Sequence, residues 1–114
     1  MKIGIVGLGK MGEALVEGLR RSKEHASVKI QATTRSRESA QDAADRLKMS
    51  CGIDNAAMAK VCDFIILSVK PYQAEQVVRG MSKHLGSGKT LVSVCAAITT
   101  AQLEKWSGGK CAVI

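Results

Sequence analysis

Short apolar runs alternate with longer segments of helical period along this chain of 114 residues. The short runs have the length of strands, whereas the segments between them repeat apolar residues at spacings of three and four, as one face of a helix does. Strands that alternate with helices in this way predict a parallel sheet joined by right-handed crossovers. The sequence therefore predicts an α/β fold of the Rossmann type, with a doubly wound, mainly parallel sheet and helices on both of its faces.

The patterns also place the individual elements. The first helix is predicted over Lys10 to Arg21, and Ser36, Asp54 and Thr99 are predicted to begin later helices as N-caps. Thr99 and Gln102 have the spacing of a capping box. Strands are predicted at Ile3 to Val6, Val28 to Thr33, Met49 to Cys51, Phe64 to Val69, Leu91 to Val94 and Cys111 to Ile114. The buried face of the first helix is predicted to carry Met11, Ala14, Leu15, Gly18 and Leu19.

Charge and composition limit the partners of the chain. Aromatic residues make up only 3% of it, so the core must be built from small aliphatic side chains. The net charge is +7, but the basic residues are scattered and no basic run is interleaved with aromatic residues. A nucleic-acid partner is therefore not expected, since none of the usual reading motifs is present. The positive charge instead favours an anionic small ligand.

Four cysteines are spread along the chain without a C-x-x-C pair and without a histidine at ligand spacing. This pattern predicts buried thiols in a reducing compartment and no metal site. The start of the chain lacks the apolar core of a signal peptide, and no apolar run is long enough to cross a bilayer. We therefore expect a cytoplasmic protein that does not bind membranes.

A G-x-G-x-x-G motif follows the first predicted strand and opens the first predicted helix. In that context the motif predicts a dinucleotide-binding loop, although a plain glycine-rich turn is the alternative. Gly7 permits the tight turn, Gly9 lets the backbone approach a pyrophosphate, and Gly12 lets helix and strand pack closely. The N–H groups at the helix start favour phosphate groups. The cofactor-binding residues predicted in this loop are Gly7, Leu8, Gly9, Lys10, Met11 and Gly12.

The end of the second predicted strand indicates which cofactor is bound. NAD-binding domains place an Asp or Glu about 20 residues after the glycine loop, on the ribose 2′-hydroxyl. Here that region holds Thr34, Arg35, Ser36 and Arg37, without a carboxylate. Hydroxyl and guanidinium groups bind a 2′-phosphate, so these four residues predict NADP(H) in preference to NAD(H). The alternative is that both arginines are solvated surface charges and that Ser36 is only a helix cap.

Four further patterns occur together: the opening Met1 to Gly12, Asn55 with Asp63 eight residues later, Ile66 to Pro71, and Ser93 to Thr99. Together they resemble the pyrroline-5-carboxylate reductase family, in its N-terminal NADP-binding domain. One position departs from the family pattern, because Ala97 stands where the family usually has glycine. A β-carbon at this position could crowd the nicotinamide or shift the backbone.

The resemblance implies an activity and a set of further site residues. The activity is the reduction of Δ1-pyrroline-5-carboxylate to proline by hydride transfer, a step of amino-acid biosynthesis. The resemblance supplies no catalytic residue within this chain. It implies that Asn55 contacts the adenosine side of the cofactor. It also implies that the nicotinamide ribose is lined by Val69, Lys70, Pro71, Cys95, Ala96 and Ala97.

The family also has a C-terminal helical domain that forms the dimer and binds the substrate, and residues 1–114 do not include it. We therefore expect a dinucleotide-binding domain from a longer protein, inactive alone and homo-oligomeric when full length. Its partners would be a nicotinamide dinucleotide and a small imine. Two alternatives stay open: the cofactor domain of a β-hydroxyacid-type dehydrogenase, which the opening also resembles, and a non-catalytic module that senses NADP(H).

Overall fold

The computed structural model describes residues 1–21, 28–95 and 97–114. Its strands form one sheet, and all neighbouring strands in that sheet run parallel. The strands are β1 (Lys2–Val6), β2 (Lys29–Thr33), β3 (Ser50–Gly52), β4 (Phe64–Leu67), β5 (Thr90–Ser93) and β6 (Ala112–Val113). Their order across the sheet is β3-β2-β1-β4-β5-β6. The predicted Rossmann-type α/β fold is therefore confirmed.

Helices connect the strands as the sequence pattern predicts. They are α1 (Lys10–Arg21), α2 (Arg37–Leu47), α3 (Asn55–Val61), α4 (Pro71–Met81) and α5 (Thr100–Ser107). Ser36, Asp54 and Thr99 are the N-caps of α2, α3 and α5, and each side chain accepts a backbone N–H from the first turn. The capping box of Thr99 with Gln102 is confirmed. Local side-chain chemistry thus explains where these three helices begin.

The strand order creates a crevice at the centre of the sheet. β1 pairs with β2 on one side and with β4 on the other. The chain therefore adds β2 and β3 on one side of β1, and then β4, β5 and β6 on the other. The carboxyl ends of β1 and β4 lie side by side, with Val6 opposite Leu67. Open α/β sheets bind their ligands at this kind of reversal.

The core is divided between the two faces of the sheet. On one face, α3, α4 and α5 cover a large cluster in which Ile65, Leu67 and Leu91 are fully buried. On the other face, α1 covers a smaller cluster around Ile5 and Val16. Aliphatic side chains build both clusters, as the low aromatic content requires.

The buried face of α1 differs from the prediction. Gly12 and Val16 are its buried residues, whereas Met11 is 57% exposed and Ala14 and Gly18 are also exposed. The predicted Leu15 and Leu19 do pack, half-buried, on the smaller cluster. The reason is the close approach of Gly12 to the turn that follows β1, because this contact turns the helix so that Met11 points outwards.

The described residues also bear on three expectations, which concern membrane spans, metal sites and the cysteines. Of their helices, none combines the length and the apolar character needed to cross a membrane. No group of His, Cys, Asp and Glu within the described ranges is arranged to hold a metal ion. The four thiols are free, and all but the half-buried Cys51 are buried. Burial raises the pKa of the Cys51 and Cys62 thiols above the usual value, which keeps both protonated at neutral pH.

The two glycines of α1 offer a paired test of this packing. A β-carbon at Gly12 would lie 2.5 Å from the carbonyl oxygen of Gly7, whereas one at Gly18 would meet no atom within 4 Å. We expect Gly12→Ala to lower the free energy of unfolding by about 1–3 kcal/mol, through overpacking. Gly18→Ala should raise it by up to about 1 kcal/mol, through helix propensity. Urea unfolding followed by circular dichroism measures both, and equal effects would contradict the packing described here.

Candidate functional site

The loops that follow β1, β2 and β4 converge at the crevice. Gly7 donates its N–H to the carbonyl oxygen of Thr33 at 3.1 Å, which joins the turn after β1 to the end of β2. The backbone N–H of Ser68 donates to the carbonyl oxygen of Val6 at 2.9 Å, which joins the segment after β4 to β1. These bonds extend the sheet pairing past the strand ends and hold the three loops in a fixed relation.

The glycine loop has two crowded positions and one open position. Gly7 has φ +91°, and a β-carbon there would lie 2.9 Å from the carbonyl oxygen of Ser68. Gly12 is crowded by Gly7, as described above. Gly9 differs, because a β-carbon there would meet no protein atom within 4 Å. The fold itself requires glycine at Gly7 and Gly12, whereas the space in front of Gly9 is available to a ligand.

Helix α1 begins directly beside this open space. The first helical hydrogen bond runs from the N–H of Glu13 to the carbonyl oxygen of Gly9, at 3.0 Å. The N–H groups of the preceding residues in the first turn have no intrahelical acceptor. Together with the helix dipole, they favour an anionic group in front of Gly9. Leu8 packs on the smaller core cluster, and the side chains of Lys10 and Met11 are exposed.

A cavity of about 320 Å³, here called the loop cavity, opens in front of the glycine loop. Its walls come from four parts of the chain: the glycine loop, the segment after β2, helix α2 and the segment that leads from β4 into α4. The lining includes Gly7, Leu8, Gly9, Thr34, Arg35, Ser39, Asp42, Arg46, Ser68, Val69, Lys70 and Gln73.

Two further cavities adjoin the loop cavity, one on each side. The Asn55 cavity, of about 300 Å³, lies beyond the end of β2 and shares Thr34 and Arg35 with the loop cavity. The Cys95 cavity, of about 330 Å³, lies beyond the ends of β4 and β5 and shares Val69 and Lys70 with it. The three cavities thus form a series of adjacent spaces beyond the carboxyl ends of the strands, and Val69 lines all three.

The charges around the loop cavity are partly neutralised. Arg46 contacts the carboxylate of Glu13 and lies 3.5 Å from that of Asp42, and its hydrogen bond to Glu13 raises its pKa. Arg35 and Lys70 make no ion pair with any of the described residues. These two cations therefore supply the positive charge that an anionic ligand would meet.

Hydroxyl groups cluster at the start of α2. The Ser39 hydroxyl donates to Thr34 Oγ1 at 2.8 Å and lies 2.9 Å from the Ser36 hydroxyl. Ser36 caps the helix, while Thr34 and Ser39 line the loop cavity. Sequence reasoning missed Ser39, although its place three residues after an N-cap serine is a detectable capping-box signal.

The two arginines of this segment face different spaces. Arg35 lines both the loop cavity and the Asn55 cavity. Arg37 lines neither of them and lies instead on a further cavity, of about 650 Å³, that is also lined by Asn55 and Gln76. The geometry therefore separates two residues that the sequence pattern had grouped together.

Asn55 lies at the first position of α3 and is half-buried in the wall of the cavity named after it. Its side-chain oxygen accepts a hydrogen bond of 2.5 Å from the hydroxyl of Thr33, the last residue of β2. Thr33 is 3% exposed, so the bond anchors Asn55 to the sheet from below.

The Cys95 cavity collects most of the remaining predicted residues. Met11, Val69, Lys70, Pro71 and Cys95 line it. The Cys95 thiol donates to the carbonyl oxygen of Val69 at 3.0 Å, which ties the end of β5 to the segment after β4. The Ser68 hydroxyl, which sequence reasoning did not single out, is buried beneath this segment without a hydrogen-bond partner among the described residues.

The structure also bears on the two alanines predicted for this region. Ala96 lies outside the described residues. Ala97 is exposed and lines none of the three cavities. Lys48 is the non-glycine residue with a positive φ in the described ranges, so Ala97 does not require the conformational freedom of glycine. Its contact with a nicotinamide ribose stays a prediction.

Comparison with known proteins agrees with this geometry. A family model described as "NADP oxidoreductase coenzyme F420-dependent" matches residues 2–97. The chain belongs to this family. Among curated relatives, the pyrroline-5-carboxylate reductase of Arabidopsis thaliana is 30% identical over 107 residues. That alignment covers 94% of this chain and 39% of the plant protein.

Solved structures show the same relationship. A pyrroline-5-carboxylate reductase from Coxiella burnetii superimposes with a TM-score of 0.87 at 26% identity, over 97% of this chain and 41% of that chain. A Plasmodium falciparum pyrroline carboxylate reductase with bound NADP gives a TM-score of 0.79 at 27% identity, over 99% of this chain and 40% of that chain. The resemblance inferred from the sequence motifs is therefore confirmed. The chain spans about two fifths of the length of these relatives.

Proposed function

We propose that this chain is the NADP(H)-binding domain of a pyrroline-5-carboxylate reductase. The open position at Gly9, between two glycines that the fold requires, is the observation that carries the proposal. At this position the start of α1 borders the loop cavity. Two cations that line the same cavity, Arg35 and Lys70, have no ion-pair partner among the described residues. These features fit the pyrophosphate of a dinucleotide.

The series of cavities suggests how the cofactor would lie. We assign the pyrophosphate to the loop cavity and the adenosine half, with its 2′-phosphate, to the Asn55 cavity, beside Thr34 and Arg35. The nicotinamide half then falls in the Cys95 cavity, lined by Val69, Lys70 and Pro71. Of the predicted residues, Ser36 acts through the helix cap, while Arg37 and Ala97 line none of these three cavities.

In this proposal the domain binds and orients, and the C-terminal part found in the relatives completes the active site. When bound, the reduced cofactor supplies a hydride to the imine carbon of Δ1-pyrroline-5-carboxylate. The start of helix α1 would hold its pyrophosphate, and Arg35 and Asn55 would hold its adenosine end. Val69 and Cys95 would shape the wall behind its nicotinamide ring. We assign no proton transfer to any residue of this chain. Dimerisation and imine binding belong to the C-terminal part.

Dinucleotide binding can be tested on the 114-residue chain itself. We expect calorimetry to show NADPH binding at millimolar concentration or below, and Gly9→Val to weaken it at least about tenfold, because the side chain fills the space meant for the pyrophosphate. The melting temperature should be unchanged, since that space is open in the protein. Gly18→Val, at the other open position of α1, is the matched control and should bind as the parent does. A parent that binds no NADPH would refute the proposal, and so would a Gly9→Val variant that binds normally.

The proposed cofactor preference depends on Arg35. A hydrogen bond to a charged group contributes roughly 1.5–3 kcal/mol, so one or two bonds to the 2′-phosphate predict about 10- to 1,000-fold tighter binding of NADPH than of NADH. Arg35→Asp should penalise NADPH far more than NADH. Arg37→Asp makes the same charge change at a residue that lines neither the loop cavity nor the Asn55 cavity, so it should alter the ratio less. Equal dissociation constants for the two cofactors in the parent at low ionic strength would contradict this preference.

A chimera can test whether residues 1–114 serve as the cofactor domain of a pyrroline-5-carboxylate reductase. Residues 1–114 would replace the matching part of the Coxiella burnetii reductase, whose fold superimposes closely. We expect the chimera to oxidise NADPH when Δ1-pyrroline-5-carboxylate is added, at a rate on the order of 1 per second or more. It should not reduce NADP⁺ when β-hydroxy acids are added. A chimera that folds and binds NADPH but does not reduce Δ1-pyrroline-5-carboxylate would contradict the proposed role of the domain.

A further inference from the structure

A buried hydroxyl determines which end of the Asn55 amide faces the site. Thr33 and Ser107 are the buried polar side chains among the described residues, and Thr33 lies under the Asn55 cavity. Its Oγ1 donates to Asn55 Oδ1 at 2.5 Å. Most buried hydroxyls have a hydrogen-bond partner, and the partner of the Thr33 hydroxyl is this amide oxygen.

The two ends of a carboxamide differ in chemistry. The oxygen only accepts hydrogen bonds, and the NH₂ group only donates them. The Thr33 hydroxyl donates to the oxygen end of this amide, Asn55 Oδ1. The amide oxygen is therefore engaged by Thr33, which leaves Nδ2 and its two hydrogens for whatever occupies the cavity.

Resting on the proposed function, we propose that Thr33 is a positioning residue for cofactor specificity. By holding the Asn55 oxygen, its hydroxyl presents the Asn55 NH₂ group as a donor to the oxygens of a ribose 2′-phosphate. Phosphate oxygens only accept hydrogen bonds, so the opposite orientation would place the amide oxygen against them and repel them. A 2′-hydroxyl tolerates either orientation, because it both donates and accepts. Thr33 therefore favours NADPH over NADH through its effect on Asn55.

The position of Asn55 relative to the cations supports this assignment. The Asn55 cavity is also lined by Thr34 and Arg35, so the amide and the unpaired guanidinium face the same space. A guanidinium and an NH₂ group are both pure donors, and together they match an anion with several acceptor oxygens. No carboxylate lines this cavity.

The experiment compares Thr33→Val, which removes the hydroxyl at nearly constant volume, with Thr33→Ser, which keeps it. We expect Thr33→Val to bind NADPH about tenfold or more weakly, the size of one lost charged hydrogen bond, and NADH less than about threefold more weakly. Thr33→Ser should stay within about threefold of the parent for both. Adenosine 2′,5′-bisphosphate and 5′-AMP, which lack the nicotinamide, should repeat the difference and so place it at the ribose.

A double-mutant cycle and a spectroscopic signal separate positioning from general stability. In an Asn55→Ala background, Thr33→Val should cause no further loss of NADPH affinity, because the amide that it orients is gone. In the parent, the Asn55 NH₂ should give one pair of resonances, assigned by their loss in Asn55→Ala. This pair should shift or broaden in Thr33→Val and keep its position in Thr33→Ser.

A second variant keeps the test decisive if Thr33→Val fails to fold. Asn55→Asp retains the acceptor for Thr33 but turns an oxygen towards the phosphate, so it should abolish the preference for NADPH. The inference is overturned if Thr33→Val binds both cofactors as the parent does, if it loses both equally, or if Asn55→Asp keeps the parent's preference. A parent that binds neither dinucleotide instead overturns the proposed function, and the inference with it.

Discussion

The close contact between the turn after β1 and the first turn of α1 is the constraint on which the site depends. A β-carbon added at Gly12 would lie 2.5 Å from the carbonyl oxygen of Gly7. One added at Gly7 would meet Ser68 and Val69. This contact brings the start of α1 down onto the crevice between β1 and β4. It orients the free N–H groups of the helix towards the cavity, and it leaves Gly9 as the one glycine of the motif with open space. A larger residue at Gly12 would separate the helix from the sheet before any ligand arrived.

Features that depend on local sequence were predicted correctly, whereas one that depends on this tertiary contact was not. Among the described residues, the alternation of apolar runs and helical segments predicted each strand and each α-helix, although β4 ends at Leu67 and not at Val69 as predicted. The side chains of Ser36, Asp54 and Thr99 predicted the N-caps. These features depend on residues close together in the chain. The buried face of α1 depends on a tertiary contact, which hydropathy does not register, and the helix is therefore rotated away from the face that places Met11 inside.

Residues that reach the cavity from a helix were also missed. Ser39 and Arg46 of α2 and Gln73 of α4 line the loop cavity, but they are far in sequence from the glycine motif. Only the packing of α2 and α4 at the two sides of the crevice brings them there. The sequence likewise could not separate Arg35 from Arg37, because neighbouring positions around the start of a helix point in different directions.

The site recognises its ligand through two kinds of interaction that respond differently to salt. Attraction by the exposed Arg35 acts through charge and weakens as the Debye length falls, from about 10 Å at 0.1 M to about 3 Å at 1 M ionic strength. The Thr33–Asn55 pair acts through the direction of one hydrogen bond at contact distance, from a half-buried position that salt reaches poorly. High ionic strength should therefore reduce the part of the NADPH preference that Arg35→Asp removes and leave most of the part that Thr33→Val removes. A site that combined these two interactions would keep its cofactor preference over a wider range of ionic strength than one based on an exposed arginine alone.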